Sequence, residues 1–191
     1  LMCGSLGSLA VITSATFKLA PLAPFSLTVA AHPRTVQQAS ALALALVAAP
    51  ITPSAIELSV PPVRVLVRFD STERAARLQA EQARQIFLNA DVPTETFEQE
   101  MAVELWRDHE RSVVEAPGTL VRLTALPTHV SDVLGDVNAH CAAHQVRWSA
   151  AGRAALGSLS VRLDGAAQGV CDVIARVREA GIDKPITAHS L

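Results

Sequence analysis

The sequence has no tyrosine, and aromatic residues make up only 4% of its 191 positions. Its core must therefore be filled by Ala, Leu and Val. Cysteine is nearly as scarce: Cys3, Cys141 and Cys171 form no close pair. That excludes a disulfide framework and a CxxC redox or zinc site, fits a reducing compartment, and leaves each cysteine to be read as a small buried hydrophobe. Lysine occurs only at Lys18 and Lys184, against 14 arginines, a ratio that fits recognition of carboxylate or phosphate by the guanidinium fork and equally a general bias toward Arg and Ala codons. There is no excess of positive charge: 16 basic and 18 acidic residues give a net charge of −2, which excludes a broad phosphate-binding footprint and so nucleic acid. Long hydrophobic runs are also missing. The longest, Ala41 to Ile51, has 11 residues and includes Pro50. A membrane-spanning helix needs roughly 18–20. No basic segment precedes an apolar stretch as in a secretory signal, so a cytoplasmic location is expected. The chain also opens without methionine, which suggests a piece of a larger protein.

What is present is half apolar and 18% charged, enough for one domain with a real core. Ala10 to Leu19 is rich in β-branched residues and alternates Ala15, Phe17 and Leu19 against Thr16 and Lys18, which predicts a strand. Pro21 and Pro24 stiffen a connector and mark a domain boundary. Phe25 to Ala31 alternates as a second strand, and Thr35 is placed to cap a helix through Ala48. Ala55 to Val60 and Val63 to Phe69 predict an antiparallel pair around Pro61-Pro62. Ser71 is placed to cap a helix to Ala90, with an apolar stripe of Ala75, Leu78, Ala83, Ile86, Phe87 and Ala90 and a Glu73–Arg77 pair on the wet side. Another helix is expected from Glu95 to Ser112. The second half repeats the grammar: a strand from Thr119, a helix Val130 to Ala143, strands at Gln145 to Ser149 and Gly157 to Leu163, and a helix Ala167 to Ala180. Each half thus reads strand, helix, strand, strand, helix. The expected fold is α+β, a duplicated βαββα (ferredoxin-like) unit forming one larger antiparallel sheet with helices on one face.

Few constellations suggest chemistry. His140 and His144 share a helical face at ligand spacing, but no third ligand follows and Cys141 points elsewhere, so no metal is expected. The run Trp106 to Arg111 reads as a solvated helix face, and Gly152 to Gly157 as a hairpin. There is no GxSxG, HExxH or Walker loop. The glycines at 4 and 7, ahead of a strand, permit close approach of backbone to a flat or anionic ligand.

The string Leu-Met-Cys-Gly-Ser-Leu-Gly-Ser-Leu-Ala-Val-Ile-Thr-Ser-Ala-Thr-Phe-Lys-Leu-Ala-Pro resembles the closing segment of the FAD-binding domain in FAD-linked oxidases of the vanillyl-alcohol oxidase (PCMH) type. Ala116-Pro117-Gly118-Thr119-Leu120 and Leu105-Trp106-Arg107 are similar to stretches in the FAD-binding subunits of bacterial glycolate oxidases. The resemblance implies that residues 1–24 end an FAD-binding domain and residues 25–191 form the substrate-side cap. It implies FAD contacts at Gly4, Ser5, Gly7, Val11 and Ile12. Two positions depart from the pattern, Ala10 for a Gly and Ser14 for a Glu. The implied reaction is oxidation of a 2-hydroxy acid such as glycolate by hydride transfer to flavin. FAD-linked and iron–sulfur subunits are the implied partners, and any membrane association would run through them. The chain by itself is expected to be inactive. The cap stretch Ser149 to Gly152 offers no base, so no catalytic residue is assigned. The rival expectation is a non-catalytic ferredoxin-like domain for ligand binding or self-association.

Overall fold

The structure, a computed structural model, describes residues 8–19, 21–183 and 187–190, with side chains as far as residue 179. It is an α+β fold built on one antiparallel sheet. Strands β1 (Phe25–Ala31), β2 (Ala55–Val60), β3 (Arg64–Ser71) and β4 (Thr94–Glu98) belong to the first half. Strands β5 (Thr119–Thr124), β6 (Arg147–Arg153) and β7 (Ser158–Asp164) belong to the second, and β8 (Thr187–Ser190) adds an edge. The order across the sheet is β4-β1-β3-β2-β6-β7-β5-β8. Each half therefore has the same internal order, fourth-first-third-second, and the two meet at β2 and β6 like mirror-ordered hands.

Five α-helices accompany the sheet: α1 (Val36–Ala48), α2 (Glu73–Asn89), α3 (Gln99–Val114), α4 (Val130–Ala143) and α5 (Ala167–Asp183). The Thr35 hydroxyl caps α1 by accepting from the Gln38 N–H at 3.1 Å. Strand alternation sends Leu27, Val29, Leu58, Val65, Val67 and Phe69 to one sheet face. There they meet Leu42 and Leu46 of α1, Phe87 of α2, Leu134 of α4 and Val173 of α5 in a single core. The opposite residues of the same strands, Ala30, Leu66 and Ala151, are buried too. They are covered by α3, which contacts β1, β6 and β7. The result is three layers: four helices, the sheet, and α3 by itself on the far side.

Several expectations change. Helices do not all lie on one face, because α3 crosses the other. The halves are not truncated: β4 and β8 complete each as strand-helix-strand-strand-helix-strand. Thr94–Glu98 was expected to be mostly helix but pairs with β1. Phe97 and two threonines favour the pleated edge, and Gln99 at φ +49° breaks strand from helix. Ser71 does not cap α2: Thr72 holds the N-cap position, with no side-chain hydrogen bond to the helix, and the helix buries Ala76, Ala80, Ala83 and Phe87, so Leu78 stands 61% exposed. Gly181 does not end α5, which runs to Asp183. Residues 10–19 form no strand: they join no ladder, and Val11 and Phe17 are 85% and 80% exposed. A strand needs a partner backbone, and these residues meet none among the described residues.

The seam between the halves is short. Only Leu58, Ser59 and Val60 of β2 pair with Gly152, Ala151 and Ala150 of β6. Gly152 sits there at φ +149°, where an added Cβ would lie 2.6 Å from the Ser158 carbonyl oxygen. Gly152→Ala is expected to lower stability by about 1–3 kcal/mol. Gly135→Ala, in the interior of α4 with nothing within 4 Å of its new methyl, should raise it by about 0.5–1 kcal/mol. Urea midpoints of the two variants should move in opposite directions; a shift of the same sign would contradict the seam geometry.

Candidate functional site

Helix α3 carries a seven-residue stripe, Ala102, Trp106, His109 and Val113, that faces the sheet. Ala102, His109 and Val113 are buried. The Trp106 indole donates from Nε1 to the Thr28 hydroxyl of β1 at 2.9 Å, and the Arg68 guanidinium lies 5.1 Å from its ring centroid. Arg68 is itself held by Asp70 at 3.0 Å. At the C-terminal end of α3, Arg162 of β7 donates to the carbonyls of Val113 at 2.8 Å, Gly118 at 2.9 Å and Val114. Those donors meet the negative end of the helix dipole and fix where α3 stops.

One flank of α3 and the sheet seam enclose a pocket of about 690 Å³, within the usual range for small-molecule sites. The helix contributes Val103, Trp106 and Val114 as an apolar wall. The sheet floor is polar, with Glu57 from β2, Arg68 from β3, Arg153 from β6 and Arg122 from β5. Arg122 is exposed and has no hydrogen-bond or ion-pair partner among the described residues. Its cross-strand neighbour Ser160 also lines the pocket. A guanidinium without a counter-ion beside a hydroxyl is an arrangement for binding a carboxylate or similar anion.

Glu57 of this floor is hydrogen-bonded to a buried histidine of α3. His109, 2% exposed, places Nε2 at 2.8 Å from Glu57 Oε2. A carboxylate oxygen accepts here, so Nε2 is the donor. The ring's Nδ1 is buried without a partner, an arrangement that costs about 1–3 kcal/mol. The other carboxylate oxygen, Oε1, is ion-paired with Arg153 Nε at 3.7 Å, beyond hydrogen-bond reach, and makes no hydrogen bond among the described residues. Trp106 stands edge-on to the His109 ring at 5.7 Å. The charged run Trp106 to Arg111 is thus not simply a solvated face. Its seven-residue spacing was the available signal, and the lone acid in the apolar strand Ala55 to Val60 was the second.

The residues assigned by resemblance do not line this pocket. Gly4, Ser5 and Gly7 lie outside the described residues. Val11 and Ile12 are described, and both stand exposed in the irregular segment before β1. His140 and His144 form no metal cluster: among the described residues no three ligand-type side chains converge, and His144 faces Asp172 at 3.7 Å. Cys141 is buried as expected, whereas Cys171 is exposed because it falls on the wet side of α5. Burial pushes the Cys141 thiol from its ordinary 9.0 up to about 11.

The unfolded chain therefore loses the Cys141 proton first. The associated stability is full below pH 9.0 and is lost as pH rises toward about 11. With Cys3 and Cys171 changed to Ser, a thiol reagent at about pH 8 should leave the native protein unlabelled and label it fully in denaturant. Native labelling at a free-thiol rate would contradict the packing of α4.

Comparison with protein-family models and with curated proteins finds no match to the chain.

Proposed function

We propose that residues from Phe25 onward are a duplicated ferredoxin-like cap of an FAD-dependent oxidoreductase, and that the pocket beside α3 receives a 2-hydroxy acid such as glycolate. The observation that carries this reading is Arg122, a guanidinium with no partner among the described residues, on the floor of a 690 Å³ pocket that Arg153 also lines. A carboxylate held there would lie at the Val114 end of the pocket, where the last turn of α3 excludes water from one side. FAD, when bound, supplies a two-electron acceptor.

The segment before β1 supports the same reading. Leu9, Val11, Ile12, Phe17, Leu19 and Leu22 are all exposed. So many apolar side chains on a segment with a strand's alternation fit a partner surface outside these residues. Val11 and Ile12 also leave their backbone groups outside any ladder, which suits a cofactor that lies along main-chain amides. The net charge of −2 offers nothing broad for flavin phosphates, so those would be neutralised by a unit not included here. FAD-linked and iron–sulfur subunits are the partners this reading adds. Among the described residues no helix is long and apolar enough to cross a membrane.

The test is spectroscopic. The natural protein carrying these residues should be yellow, and glycolate should bleach it in the absence of oxygen. Arg122→Ala should raise KM for glycolate about ten- to a hundredfold, the loss of one charge-assisted hydrogen bond, without moving the melting temperature. A well-folded, colourless protein would overturn the oxidoreductase reading and leave a carboxylate-binding or self-associating domain.

A further inference from the structure

Arg122 is one of two arginines that flank the same stretch of β7. It pairs across to Ser160 on β7, which pairs in turn with Ala151 on β6. One row further along, Ser158 on β7 pairs with Arg153 on β6. All five residues line the cavity. Residues in one row of a sheet share a face, so Ala151, Ser158 and Ser160 form a floor of small side chains between the two arginines. Strand spacing and rise put the Arg122 and Arg153 backbones about 12 Å apart. The other two arginines of the lining are engaged, Arg68 by Asp70 and Arg107 by Glu104. Arg153 meets Glu57 through Nε alone, at 3.7 Å. Glu57, itself held by His109, thus aims the guanidinium and leaves both of its Nη groups without a hydrogen bond among the described residues. The Ser158 and Ser160 hydroxyls are half-buried and make none either. Glu110, the other acid of the lining, pairs with neither arginine. A two-carbon acid on Arg122 would leave most of the 690 Å³ unfilled and the far arginine untouched.

We infer that the ligand of this pocket is a short dicarboxylic acid, and that Arg153 is the specificity-determining residue that takes its second carboxylate. This rests on the reading of Arg122 as the anchor of a ligand carboxylate, and it concerns binding alone. The first carboxylate lies on Arg122 at the Val114 end of the pocket. The chain then crosses β7 above Ser160 and Ser158, and the second carboxylate meets the Nη groups of Arg153. Glu57 keeps its contact with Nε, so no ion pair has to break. Side chains on one sheet face stand roughly parallel, so the two guanidinium groups keep about the 12 Å separation of their backbones. A guanidinium and the carboxylate it holds have their central carbons about 4 Å apart. That leaves about 4–5 Å between the two carboxyl carbons, the length of a chain of about four or five carbons. The serine hydroxyls beneath can donate to the ligand's oxygens. An acid of the same length with one carboxylate would set a methyl group against Arg153 and gain nothing there.

The test compares acids of equal length. Succinate and butyrate, each four carbons long, are titrated into this chain at constant ionic strength and followed by NMR shifts of the pocket residues. Succinate should bind about tenfold more tightly, the worth of one further charge-assisted contact at a partly exposed arginine. Malonate carries the same charge but is too short to span the floor, and it should bind no better than butyrate. Arg153→Gln should bring succinate down to the butyrate level and leave butyrate itself unchanged. Arg153→Lys, which keeps a point charge without the fork, should retain part of the advantage. Arg122→Gln should weaken succinate and butyrate alike. Both arginines are exposed, so none of these variants should move the melting temperature. Equal binding of succinate and butyrate, an advantage that malonate shares in full, or one that survives Arg153→Gln overturns the second contact while leaving Arg122 as the anchor of a single carboxylate. Binding that is indifferent to Arg122→Gln, or no binding of any acid, overturns the anchor and the inference with it. A colourless natural protein would remove the oxidoreductase reading without changing any of these ratios.

Discussion

Two four-stranded halves meet along only three residue pairs, Leu58 to Val60 against Ala150 to Gly152. So short a ladder cannot hold two units in one plane by its hydrogen bonds alone, each worth about 0.5–1.5 kcal/mol net. The constraint that does so is α3. It starts at the outer strand of the first half and ends under Arg162 of the second, so it crosses the seam like a brace. On the opposite face α1 packs against α4. The seam is thereby clamped from both sides.

The brace explains the unusual chemistry beneath it. A helix laid on a sheet face whose strands alternate toward the main core inherits the leftover residues, and here these are Thr28, Glu57, Ser59, Arg64 and Arg68 together with small apolar ones. The layer under α3 is consequently thin and polar. Thr28 finds Trp106, Glu57 finds His109, and Arg68 finds both Asp70 and the indole face. Arg64 is less well served. Burial lowers its pKa, and Asp108 on α3 only partly offsets that. Replacing these pairs with packed apolar residues would serve stability as well or better. The pairs leave charges fixed on strands and braced by a helix, with a cavity open along one flank.

Much of the fold was legible in the sequence. The limits of Ala55–Val60 and Val130–Ala143, the Thr35 cap and the Glu73–Arg77 pair all follow from local rules of alternation, capping and spacing. The errors have one origin. Thr94–Glu98 became a strand because β1 offered it an edge, and residues 10–19 failed to become one because no edge was offered. Leu78 was exposed because the sheet set the rotation of α2 by a residue. The site was less legible still. Glu57 and His109 are 52 residues apart, and neither lies in a recognisable motif. The hints were a single acid in an apolar strand and a histidine on a seven-residue stripe, and each has a bland reading until the other is placed opposite it.

By itself, then, the sequence determined the composition of the core, the order of most elements in each half, and that nearly all its positive charge is carried by arginine. Those are properties of single residues and of neighbours within a few turns. The tertiary structure alone decided that the halves share one sheet, that one helix crosses to the other face, and that Glu57, His109, Arg122 and Arg153 belong to one pocket. Strand pairing and the covering of a sheet face depend on which distant backbone is available, and no local pattern carries that information.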